Sequence, residues 1–175
     1  MSNGSSLSLI RQNFSDEAES ALNYQINFEL YASYVYLSMA NYFDRADVAL
    51  KNIAKWMFKQ SEEERHHACT LMEYQNTRGG RVIFSDIPKP EKNDWGSALD
   101  AFRCALAIER TNNENLLNLH RVAESKNDFQ MTDFIEDKFL REQVESIEEI
   151  GGFITNLERV GTGMGEYVFD KEHFE

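Results

Sequence analysis

The sequence predicts an all-α fold: a four-helix bundle with one long crossover and a short fifth helix at the C-terminus. Three observations carry this expectation. Apolar residues recur at helical spacing through most of the chain. Proline occurs twice in 175 residues, against many Ala, Leu and Glu. One long stretch without helical periodicity, from Gly80 to Gly96 and containing both Pro88 and Pro90, separates two pairs of helical segments.

The first helix is expected over about 14–42, with Asn13 as its N-cap. The turn Asp44-Arg45-Ala46-Asp47 ends it, and Asp47 is placed to open a second helix over 48–78, which Gly79-Gly80 stops. A third runs over 97–126 after Ser97, a fourth over 129–159, and a short fifth over 164–174 after the glycine-rich break at 161–165. Short turns make the first and second helices antiparallel neighbours, and likewise the third and fourth. The 80–96 stretch, fully extended, spans roughly 55 Å at ~3.3 Å per residue. A helix of about 30 residues is ~45 Å long. The connection can therefore run the length of the bundle and make the second and third helices parallel. The length fits a single domain over 1–175, large enough to bury a core without disulfides.

Composition narrows the function. Asp and Glu number 30 against 18 Lys and Arg, a formal net charge of −12. That balance argues against a nucleic-acid partner, whose phosphates require a basic patch, and suits cations or solubility. Cys69 and Cys104 lack metal-ligand spacing and read as reduced thiols. Met1 to Leu9 shows no basic segment leading into an apolar run, and no stretch is apolar enough to span a membrane. A cytoplasmic, membrane-free protein is the expectation.

The helical wheel then exposes an anomaly. On the first helix, Phe14, Ala18, Ala21, Phe28, Ala32, Met39 and Phe43 form one stripe, and Glu29 and Tyr36 fall inside it. On the second, Leu50, Ile53, Ala54, Met57, Ala68 and Leu71 surround Glu64, with His67 at the edge. On the third, Ala98, Phe102, Ala105, Leu116 and Ala123 flank Glu109; on the fourth, Phe139, Leu140, Ile147, Ile150 and Ile154 flank Gln143. Singly, each has an ordinary explanation: a mis-phased Glu, a hydrogen-bonded His, a core Tyr with its hydroxyl satisfied. Together, they place a polar group on the apolar face of all four helices. Unpaired buried carboxylates cost several kcal/mol each, and no Lys or Arg falls at this level. A cation is the better compensation, and carboxylates with one imidazole suit iron or manganese over thiolate-seeking metals. Glu64-Arg65-His66-His67 supplies the Glu-x-x-His spacing of di-iron bundles. A second apolar face on the first helix, Ile26, Leu30, Tyr34 and Leu37, points to subunit packing.

Several stretches resemble the animal ferritins: 23–34 (NYQINFELYASY), Asp44-Arg45 leading into Val48-Ala49-Leu50-Lys51-Asn52, Glu63-Glu64-Arg65 with His67-Ala68, 75–81 (QNTRGGR), Lys126-Asn127-Asp128, Asp133-Phe134-Ile135-Glu136, Glu142-Gln143-Val144 and 165–170 (GEYVFD). The resemblance covers nearly the whole chain and is to the heavy, iron-oxidising type. It implies a ferroxidase that stores ferric mineral in a hollow shell. Glu29, Glu64 and His67 match the first iron site, and Glu109 and Gln143 the second, with Glu64 bridging. Tyr36 matches a tyrosine beside the irons, Glu63 an acidic residue on the transit route, and Asp133 and Glu136 the acidic pair lining the threefold pores. The substrates are ferrous iron and O₂. The assembly is a shell of twenty-four subunits, of this chain alone or mixed with other ferritin chains, with the last helix around the fourfold axes. His66 and Cys69 stand where heavy-type chains often carry cavity-facing glutamates, and the 161–165 loop is shorter than in vertebrate chains. The alternatives are a storage-only subunit, which lacks several of these ligands, and another di-iron carboxylate oxidase. A peroxide reductase of that class carries a second Glu-x-x-His, where this chain has Glu142-Gln143, and often a Cys-x-x-Cys. A DNA-protecting relative is disfavoured by the lack of a basic tail.

Overall fold

The computed structural model describes residues 8–174; most of the N-terminal stretch read for a leader lies outside them. The described residues form α1 (Asp16–Asp44), α2 (Lys51–Thr77), α3 (Ala98–Ser125), α4 (Phe129–Ile135), a π-turn at Glu136–Leu140, α5 (Arg141–Val160) and α6 (Met164–His173). The all-α bundle is therefore observed. The connection between α2 and α3 keeps no regular structure and runs alongside α1. Asn23 Nδ2 donates to Arg81 O at 2.9 Å near the start of α1, and Tyr42 OH donates to Gly96 O at 2.9 Å near its end. The crossover therefore returns the chain along the full helix, and α3 runs parallel to α2.

Two expected helix starts are corrected. The cap of α1 is Ser15, in extended backbone at φ −80, ψ 158, whose hydroxyl accepts from Ala18 N at 3.0 Å. Asn13 lies at φ 49, outside the extended region a cap requires, and its side-chain amide donates to Asn127 O instead. Asp47 does not open α2: it is paired with Arg45, and the helix begins at Lys51 after Leu50, which has no side chain able to cap. The missing cap comes from α6. Buried Asp170 accepts from Asn52 N at 3.0 Å and Ile53 N at 2.8 Å, placing a carboxylate at the positive end of the α2 dipole. Glu166, also on α6, accepts from Ala98 N at the start of α3. One short helix thus closes the N-termini of both parallel helices, and Phe169 seats it among Trp56, Phe102 and Phe153. Asp170→Ala is expected to lower stability by about 2 kcal/mol, the upper end for losing a cap, while Lys171→Ala on the same helix changes little; guanidinium unfolding of the two variants checks this.

The fourth helix of the sequence reading is not uniform. The backbone stays right-handed at Glu136, Leu140 and Arg141, but Glu136–Leu140 forms a wider turn between α4 and α5. In a straight α-helix Gln143 would sit about 120° around the axis from Met131; absorbing one residue in the wider turn reduces this to about 20°. Met131, Gln143, Ile150 and Leu157 therefore all face the core.

The core itself is in two parts. One apolar cluster holds Val35 to Phe43 of α1, Ile53 to Met57 of α2, Ala98 to Ala105 of α3 and Ile150 and Leu157 of α5. The other holds Phe14 to Ile26, Leu71 and Tyr74, Leu116 to Ala123 and Met131 to Phe139. Glu29, Glu64, Glu109 and Gln143 each lie between the two clusters on their helices. Ile26, read as part of an outer face, is a core residue, and Leu30 packs against the same cluster; Tyr34 and Leu37 are exposed as expected.

Candidate metal centre

The interval between the two apolar clusters is filled by the residues that the wheel flagged. Glu29 of α1 is wholly buried, Glu64 of α2 nearly so, and His67 follows Glu64 by one turn at the edge of the bundle. One ligand atom from each lies within 4.8 Å of the others, and among the described residues this is the one such group of three. His67 Nδ1 lies 3.6 Å from Glu64 Oε2 and 4.0 Å from Glu29 Oε2. Neither His67 Nδ1 nor Glu64 Oε2 has a hydrogen-bond partner, although both are buried. Two unpartnered donor atoms aimed at one spot are what a cation would satisfy, since leaving them bare costs desolvation without return.

Glu109, Tyr36 and Gln143 form the facing half. Glu109 is buried on α3; the Tyr36 hydroxyl donates to its Oε1, and Gln143 Nε2 donates to its Oε2 and, at 2.9 Å, to its backbone carbonyl. The structure thus gathers Glu29, Glu64 and His67 directly and joins Tyr36, Glu109 and Gln143 by hydrogen bonds. Glu63 stands half-buried beside them, held by Gln60 at 2.8 Å and Lys59 at 3.2 Å. Asp133 and Glu136 are apart from the cluster on the exposed side of α4 and the π-turn, where Glu136 meets His120 Nε2 at 2.7 Å. Cys69 and Cys104 are free thiols and His66 is exposed.

The sequence reading missed three participants. Gln25 and Asn112 are buried beside Glu29: Gln25 Nε2 donates to Glu29 Oε1 at 2.7 Å and Asn112 Nδ2 to Glu29 Oε2 at 3.2 Å. Gln25 lies one turn before Glu29, and Asn112 one turn after Glu109, so the same wheel carried the signal. Glu142, read only as the neighbour of Gln143, approaches His67 Nε2 at 3.4 Å.

Electrostatics agree with a cation site. Burial pushes Glu29 well above the usual carboxylate range, and the nearby Glu64 adds to this. Burial likewise pushes Glu64 up to about 8, with Glu109, Glu142 and Glu63 contributing repulsion. Glu109 is raised by burial against the hydrogen bonds from Tyr36 and Gln143, and burial keeps Tyr36 protonated as a donor. A carboxyl whose folded-state pKa is raised stabilises the fold fully below its unfolded value of about 4.3 and loses that contribution as pH climbs through the folded one. The metal-free protein should therefore lose stability between about pH 5 and pH 8, and Glu64→Gln should flatten the loss. Unfolding midpoints across that range, in chelator and again with a divalent cation, check it; added cation should reverse the trend.

Comparison with known proteins decides the family. The pattern of the ferritin-like domain matches residues 19–160. The chain is 56% identical to the soma ferritin of Lymnaea stagnalis over 167 residues, covering 95% of this chain and 96% of that protein. The chain belongs to the ferritin family. The bundle, its single crossover and the short sixth helix are thus those of a ferritin subunit, and iron is the cation against which the cluster is to be tested. The donor set fits it: carboxylate oxygens and one imidazole nitrogen, without thiolate. Among the described residues of this ferritin, no helix is long and apolar enough to cross a membrane.

Proposed function

We propose that this ferritin subunit stores and detoxifies iron, oxidising Fe(II) to Fe(III) with O₂ at a paired-iron centre inside its own helix bundle. The observation that carries the reading is the buried group of Glu29, Glu64 and His67, with its unpartnered donor atoms, opposite Glu109. Glu29, Glu64 and His67 take one ferrous ion. Glu109 takes the second with Gln143 as a weak neutral ligand, and Glu64 lies between the two. Ferrous iron and O₂ are substrates, each ion giving up one electron to O₂. Carboxylates favour the ferric product because anionic oxygen stabilises the higher charge. Tyr36 holds Glu109 in place, and the apolar clusters on either side keep bulk water from the ligands. Weak ligation by Gln143 lets the product ion depart toward Glu63 and Glu142.

The whole chain, 1–175, acts as one domain in a shell of twenty-four copies, alone or mixed with other ferritin chains, in the cytoplasm. Exposed Tyr34 and Leu37 on α1 and Phe58 on α2 support a subunit contact. Asp133 and Glu136, brought together from neighbouring copies, form an acidic entrance that concentrates cations. Aerobic loading with ferrous salt tests the function. Ferric iron should elute with the assembled protein in excess of the paired site's two ions per subunit; iron that stays free or precipitates would refute storage.

A further inference from the structure

We propose that Gln25 and Asn112 are positioning residues of the metal centre: their side-chain amides clamp Glu29 so that it offers a single oxygen, Oε2, to the cation. This rests on the reading of Glu29, Glu64 and His67 as a cation site and adds the residues that orient its most deeply buried ligand.

The three side chains close a triangle between α1 and α3. Gln25 Nε2 donates to Glu29 Oε1 at 2.7 Å and to Asn112 Oδ1 at 2.6 Å, while Asn112 Nδ2 donates to Glu29 Oε2 at 3.2 Å. With Glu29 ionised, as a metal ligand is, each amide can face only one way, because turning either over would set a carbonyl oxygen against the carboxylate. Both amide residues are 1% exposed, so no solvent competes for these bonds.

The bonds are unequal, and the inequality gives direction. Oε1 is committed to the nearer donor, Gln25. Oε2 has the longer bond and faces His67 Nδ1 at 4.0 Å. A free carboxylate turns about a broad, two-fold terminal torsion and can ligate through either oxygen or both. Holding one oxygen removes the bidentate mode, which suits large cations such as Ca²⁺ more than smaller transition ions. Replacing one partner leaves the other two short of a buried hydrogen bond and lowers stability, so the test reads ligation rather than folding.

The test is an anaerobic titration of the assembled, metal-free protein with Co(II), read by visible absorbance, so that no turnover is involved. The wild type should show two classes of site. Asn112→Leu and Gln25→Met should each weaken one class by about tenfold, the range for partners that orient a ligand, and leave the other class in place. In a Glu29→Ala background Asn112→Leu should add no further loss, because a residue acting through Glu29 is silent without it. Wild-type titration curves for both variants would overturn the clamp, as would an equal loss from Asn112→Leu with and without Glu29. The two variants lie on different helices, so each carries the test if the other fails to assemble. A wild type that takes up no Co(II) would instead refute the underlying cation site, and the clamp with it.

Discussion

Glu64→Ala should slow the oxidation of ferrous iron by at least about a hundredfold while leaving the assembled protein intact. Loss of a residue that merely orients a metal ligand costs ten- to a hundredfold, and Glu64 is the carboxylate between the two halves of the centre. On one side its Oε2 faces His67 at 3.6 Å; on the other it is near enough to Glu109 for the two charges to repel. In the proposed paired-iron centre its removal would cost both ions a ligand at once, whereas Gln143→Ala should weaken only one. The fold should tolerate the change. A desolvated acid crowded by other carboxylates is being removed, and relief of that repulsion offsets part of the cost of the space Ala leaves. Stopped-flow absorbance after mixing ferrous iron with oxygenated protein reads the rate. A variant as fast as the wild type would remove Glu64 from the chemistry.

The largest expected effect on stability lies elsewhere, at Arg78. Its guanidinium makes a fork of bonds to Asp128, at 3.0 and 2.9 Å, where α2 ends and α4 begins. Asp128 is 1% exposed and also caps α4 through Met131 N. Arg78 further donates to Asn13 O at 3.0 Å and lies over the rings of Phe14 and Tyr74. One side chain thus ties the entry to α1, the exit of α2 and the turn between α3 and α4. Arg78→Ala leaves a buried carboxylate without its partner and should cost about 3 kcal/mol. Arg78→Lys should lose part of that, because an ammonium cannot reproduce the fork. The double variant with Asp128→Ala should lose less than the two single losses added together. Guanidinium unfolding measures all four; a cost for Arg78→Ala no larger than that of an exposed ion pair, under about 1 kcal/mol, would contradict the assignment.

How far the sequence discloses this molecule follows from which interactions are periodic. Glu29, Tyr36, Glu64, Glu109 and Gln143 were legible because a regular helix returns every third or fourth residue to one face, and a charge on an apolar face stands out. Gln25 and Asn112 obey the same period, but amides on a core face draw less notice than acids. Ile26 was put on the outer face because α1 is enclosed by the crossover as well as by α2 and α3, so its buried arc is wider than one stripe. The π-turn has no period to read: it breaks the rule of 100° per residue on which a wheel depends. Contacts between distant parts of the chain were out of reach as well. The cap of α2 comes from Asp170, at the far end of the sequence, so inspection of residues near Leu50 could place the helix start only by guessing at Asp47. The crossover, by contrast, was predictable from chain length alone, because an extended segment of that span has one way to connect two parallel helices.

The central claim is that the buried acids and His67 hold two iron ions together, and it is tested most directly by diffraction at the iron absorption edge from crystals loaded anaerobically with ferrous iron. Two anomalous peaks inside each bundle are expected, one against Glu29, Glu64 and His67 and one against Glu64 and Glu109. Iron found only at exposed carboxylates such as Asp133 and Glu136, with the interior of the bundle bare, would contradict the account.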